Sequence, residues 1–163
     1  MSTLSAHRAA IAAALASVPA IGIVHERERH AQSNGAFLAL YVYTPPAGST
    51  PQEPHIRGWW LRRSATAEHS PNLHRHVNVH TWTVHGYLAF RDADATELVL
   101  DDLVEQFRAV VRADPTFGGV CQPGPLALDD AADGVQVLDA GPVVFAGVLC
   151  HSVVLQLKTW SYL

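Results

Sequence analysis

Four histidines, His74, His76, His80 and His85, fall within twelve residues of one another, and clustered imidazoles are the side chains that a transition metal finds first. On an extended strand, alternation sets His74, His76 and His80 on one face with Trp82, and His85 on the other with Arg75 and Tyr87. Three imidazoles on one face can begin a metal site. A structural site needs a further ligand at fixed geometry, and spacing does not place the candidates His55, His69 or His151. The expectation is therefore a polar strand face, exposed or lying between subunits, with no native metal and no cofactor. Protonation near the ordinary histidine value of about 6.5 would make a contact through that face sensitive to pH.

Other chemistry finds less support. A histidine-x-histidine pair on a strand is shared with metal-binding cupin barrels, but that motif wants a glutamate a few residues on. Here Val79 and Thr81 occupy that region, and no acid appears before Asp92. A small histidine-metal enzyme of the cupin kind is thus the alternative from a different functional class. Neither Cys121 nor Cys150 nor any serine sits in a nucleophile elbow, and the acid pairs Asp101-Asp102 and Asp129-Asp130 read as a helix surface and a loop. There is no GxGxxG and no P-loop. Trp59 and Trp60 beside Arg57, Arg62 and Arg63 mix aromatic and basic character as a single-strand nucleic-acid face does, although one tryptophan of an adjacent pair on a strand must face the core.

These residues need elements to hold them, and the clearest is a helix after the acidic turn RDADATE. Leu100, Leu103, Val104, Phe107, Val110 and Val111 recur at helical period. Asp94 and Glu97 have capping-box spacing, and Pro115, Gly118 and Gly119 stop the helix at Asp114. Its acids lie early and Arg108 and Arg112 late, complementing the helix dipole. An alanine-rich first helix, capped by Thr3 or Ser5 and ending before Pro19, sets Leu4, Ile11, Leu15 and Val18 on one side. Strands are expected over 21–30, over 37–43 as a central strand, over 56–64 and 75–90 as a hairpin turning at AEHSPNL, over 135–138, and over 143–157 after a turn at Gly141-Pro142. The prolines of TPPAGSTPQEP require a loop, expected to protrude over 44–55. The order suits an α+β fold: a twisted, mostly antiparallel β-sheet with two α-helices packed on one face.

The chain has 163 residues, 48% of them hydrophobic, which suits one domain over 1–163. The N-terminus does not read as a signal peptide and no segment approaches the roughly 20 apolar residues of a membrane helix. A soluble protein made inside the cell is expected, with both cysteines as thiols in core positions. The net charge of −4 conceals an asymmetry. Residues 55–91 carry five arginines against Glu68, a net of +4, whereas 92–140 carry eleven acids against Arg108 and Arg112, a net of −9. Unlike charges of this size within one small domain favour docking on other copies or on charged partners.

In WTVHGYLAF, the turn RDADATE, the helix LVLDDLVEQFRAVVRADPTFGG and the final GPVVFAGVLCHSVVLQL, the chain resembles the tail terminator proteins of long-tailed bacteriophages, the lambda-type minor tail protein U and tail-completion family. The likeness covers roughly residues 4–24 and 80–158 and rests on aromatic, glycine and apolar positions rather than on catalytic residues. The proline-rich segment 45–54 and the histidine-rich strand depart from it. The resemblance implies a non-enzymatic virion protein, made in the host cytoplasm, that forms a homohexameric ring at the head-proximal end of the tail. Such a ring caps the tail tube protein, stops its polymerisation and presents a face to the head-tail connector. A neck or head-completion protein is the alternative within the same class. In a ring, Arg57, Arg62, Arg63 and Arg75 on one side and Asp101, Asp102 and Glu105 on the other are the candidate contacts. Facing the lumen instead, the arginines would meet the phosphates of passing DNA without reading sequence.

Overall fold

A computed structural model describes residues 3–49, 51–72, 75–122 and 134–163. It is an α+β fold built on a six-stranded, open, mostly antiparallel sheet. In chain order the elements are α1 (Thr3–Ala16), β1 (Ile23–His25), α2 (Asn34–Ala39), β2 (Val42–Tyr43), β3 (His55–Asn72), β4 (Arg75–Ala89), α3 (Thr96–Ala113), β5 (Gln136–Phe145) and β6 (Val148–Tyr162). The spatial order is β1-β3-β4-β6-β5, with β2 also pairing on β3. β1 runs parallel to β3 and every other neighbour is antiparallel.

The two expected helices pack on one face. From α3, Leu100, Leu103, Val104, Phe107 and Val111 are buried, and from α1, Ile11, Leu15 and the following Val18. They close over Trp59, Leu61, Trp82, Val84, Leu88, Val153, Leu155 and Leu157 of β3, β4 and β6. The alternation of Val153, Leu155 and Leu157 with half-buried neighbours is the expected pattern for β6. Each large apolar side chain so buried contributes roughly 1.5–3 kcal/mol. No helix among the described residues is long and apolar enough to cross a membrane.

Several local expectations are overturned. Residues 37–43 do not form a central strand: 34–39 are helical, with Ser33 Oγ accepting from the Ala36 N–H, and only Val42 and Tyr43 are extended. An apolar run this short carries no period that separates helix from strand. The helix covers the second face of the sheet, where Phe37, Leu38 and Leu40 pack on Tyr41, Ile56, Trp60, Ala89 and Cys150. The strand expected over 21–30 shortens to three residues, because the charged HERER tail leaves the sheet once the pairing with Trp60 ends. AEHSPNL lies largely within β3, extending the hairpin. Gly141-Pro142 is no turn; β5 runs through both, and the chain reverses at Ala146 and Gly147, each at positive φ, the backbone that two-residue hairpins favour.

The segment 44–55 does not protrude throughout: Pro45 and Pro51 are buried, Arg91 pairs with Glu53 at 3.2 Å, and β3 already begins at His55. Nor is there a capping box on α3. A 3₁₀ turn over Asp92–Asp94 leads into Ala95 in the left-handed region, with no side-chain cap. Thr96 does the work instead: its Oγ1 accepts from the Arg91 N–H at 2.9 Å and lies 3.0 Å from Nε2 of His151 on β6.

Candidate functional site

Among the histidines, His80 is buried on the α1–α3 face, with Nδ1 2.9 Å from Thr66 Oγ1 and Nε2 3.3 Å from Ser161 Oγ. His76 is exposed at the start of the same strand, with Nδ1 2.8 Å from Ser70 Oγ, and His74 lies outside the described residues. His85, on the opposite face as expected, stacks on Trp60 with centroids 4.0 Å apart. Among the described residues no three histidines, cysteines or acids are grouped to hold a metal. The open sheet is also not the closed barrel of a cupin.

His80 instead belongs to a buried polar cluster that spacing did not suggest, because its partners come from both ends of the chain. His7 of α1 meets it edge-on at 5.6 Å, and His7 Nδ1 lies 3.0 Å from Thr159 Oγ1, which also accepts from Trp82 Nε1 at 2.9 Å. Burial pushes both imidazoles below their ordinary value, and for His80 the neighbouring His7 and Arg63 add to the effect. Both rings are thereby favoured neutral. The cysteines occupy core positions, as expected, and burial pushes the Cys121 thiol up to about 12 and that of Cys150 to about 11. Such thiols are poor nucleophiles at neutral pH.

The basic candidates divide. Arg57 is only 5% exposed, so it is not an open contact. Its Nη1 donates to the Ala20 carbonyl at 2.9 Å, its guanidinium lies over Tyr43, and Pro45 and Pro51 help close a recess of about 220 Å³ around it. The folded-back proline segment is what buries it. Arg62, Arg63 and Arg75 are exposed. They lie on the distal part of the β3–β4 hairpin, where every residue from Arg62 to Ser70 is exposed on both faces. The stacked, buried Trp60, with Arg62 over its ring, is closed to nucleic-acid bases. Trp59 is buried too, its Nε1 donating to the Ile21 carbonyl. Both tryptophans of the pair are therefore internal, because α2 gives the second face a core of its own.

The acidic candidates Asp101, Asp102 and Glu105 are all exposed on α3 but face different surroundings. Glu105 is held by Arg108 at 2.6 Å, one helical turn on. Asp102 borders the Arg57 recess. Asp101, with Glu97, borders a groove of about 300 Å³ between α3 and the β5–β6 hairpin, whose other walls include Phe90, Leu100, Pro142 and His151. Around this end of the molecule stand apolar side chains that were not singled out: Leu98 is 68% exposed, Val144 69% and Leu149 49%. The signal for Val144 and Leu149 is the apolar run VVFAGVL, whose pattern does not say which face of the strand is covered.

No protein-family model matches the chain, and no curated protein matches it.

Proposed function

We propose that this protein is a ring-forming tail terminator at the head-to-tail junction of a long-tailed bacteriophage. What carries the reading is the outer stretch of β3, hereafter the arm: nine consecutive residues, Arg62 to Ser70, with side chains exposed on both faces, while the β4 strand beside them is held in the sheet by β6. There β3 is an edge strand, paired with β4 on one side and with nothing on the other, and an open edge is a template for pairing with another chain. The sheet with α1 and α3 on one face agrees with the fold that the resemblance implies. The mechanism is steric and interfacial. One face of the ring seats on the last ring of tube protein, and the other lacks the surface on which the next tube ring would add.

The expected particle is near six times the 17.6 kDa subunit mass, measured by light scattering. In a complementation assay with the cognate tube protein, addition of the purified protein halts tube growth and yields tails that join heads. Unchanged tube length together with unchanged joining would overturn the proposal. Joining restored without any effect on length would assign the protein to the neck instead.

A further inference from the structure

The arm and the groove lie on opposite flanks of the sheet. β3, which carries the arm, is separated from β5 by both β4 and β6. The arm and the adjoining start of β4 present Arg62, Arg63 and Arg75 against Glu68 alone, and the groove is rimmed by Glu97 and Asp101. Among the described residues none of these three arginines and neither groove acid is held in an ion pair. The two surfaces are therefore complementary in charge, and within one subunit they are divided by the sheet.

We propose that the groove between α3 and the β5–β6 hairpin receives the basic arm of a second copy of this chain. Outward of β3, strand pairing ends at Trp60, so the arm from Arg62 onward offers a free backbone edge, with the small side chains of Ala65 and Ala67 permitting close approach. The groove side does not take an added strand, because β5 is interrupted by a register shift between Val137 and Asp139 and by Pro142, which has no N–H. Recognition there falls to side chains: Glu97 and Asp101 for the arginines, and the exposed Phe90 and Pro142 of the groove wall for the aliphatic stems behind them. Unlike patches that meet in this way make a heterologous contact, which repeats head to tail and closes into a ring when the rotation per subunit divides the circle.

This inference rests on the ring reading and can fail separately from it. The full chain is compared with an arm variant, Arg62→Glu with Arg63→Glu, and a groove variant, Glu97→Arg with Asp101→Arg, by sedimentation and light scattering. All four positions are exposed, and circular dichroism checks that each variant folds. Each variant alone is expected to fall to monomer, its self-association weakened by at least about tenfold. An equimolar mixture of the two is expected to restore assembly beyond the dimer, since the Arg arm meets the acidic groove and the Glu arm meets the Arg groove, unlike charges at both contacts. A wild-type chain that is monomeric removes the ring reading itself. A wild-type ring that both folded variants still form overturns this contact and leaves the ring intact.

Discussion

β3 is two strands in one. From His55 to Leu61 every residue is buried, Arg57 included, and from Arg62 to Ser70 every residue is exposed. The backbone is extended throughout and β4 pairs along both parts. The first part lies between the α1–α3 layer and the α2 layer with β1 and β2 beside it, so it is enclosed on every side, whereas the second is an open edge once pairing with those strands ends at Trp60. Burial along a strand is decided by what surrounds it, not by the strand.

The deepest way to break this contrast is to empty the buried part. Trp59→Ala, which removes a fully buried indole and its bond to Ile21, is expected to cost about 3–5 kcal/mol, read as a lowered urea midpoint. Next comes Gly86→Ala on β4: the added methyl would lie 2.3 Å from a ring atom of Trp59, which has no room to move away. A loss of about 1–3 kcal/mol is expected, and a melting temperature equal to wild type would show that the core beside β3 is slacker than described.

A smaller effect tests the buried histidines beside the exposed part by pH. His7 and His80 titrate below their ordinary value in the folded protein, so the unfolded chain binds protons first as pH falls. The stability they hold is complete above about pH 6.5 and is lost as pH drops below that toward their lowered folded values. Melting temperatures should accordingly decline between about pH 7 and 5; a flat profile would mean that the rings accept protons without disturbance. The smallest effect belongs to the exposed part, where Arg62→Ala and Arg63→Ala should each change monomer stability by no more than about 0.5 kcal/mol. A larger loss would place the arm within the cooperative fold.

The readable parts of the chain were those with a long period. α3 declared itself because six apolar residues return at 3.6, and β6 because Val153, Leu155 and Leu157 alternate with polar neighbours. What escaped depended on partners distant in sequence. Nothing near Asp94 reveals that Thr96 is anchored by His151, 55 residues later, so the capping-box spacing misled. Phe37 to Tyr43 is apolar on every side, and only the presence of a second face to cover turns part of it into helix. The candidate contacts fared likewise: Arg62, Arg63, Arg75 and the helix acids are at the surface, but Arg57 is enclosed by a proline segment whose folding back no local rule dictates. Glu97 stands at capping-box spacing, and Val144 and Leu149 lie in an apolar run, so neither pattern marks them as surface groups.

The central place of β4 in the sheet also sets an order in time. Its hairpin with β3 joins residues close in sequence, so the arm can form as soon as residue 89 has been made. The groove needs the β5–β6 hairpin, and β6 pairs with β4 across roughly 60 to 85 residues of intervening chain, the kind of distant closure that folds late. A subunit leaving the ribosome thus displays its arm before it can accept one. Were the proposed arm-in-groove contact to form, unfinished chains would compete for the grooves of finished neighbours, and a slow folder would poison ring closure in proportion to its abundance.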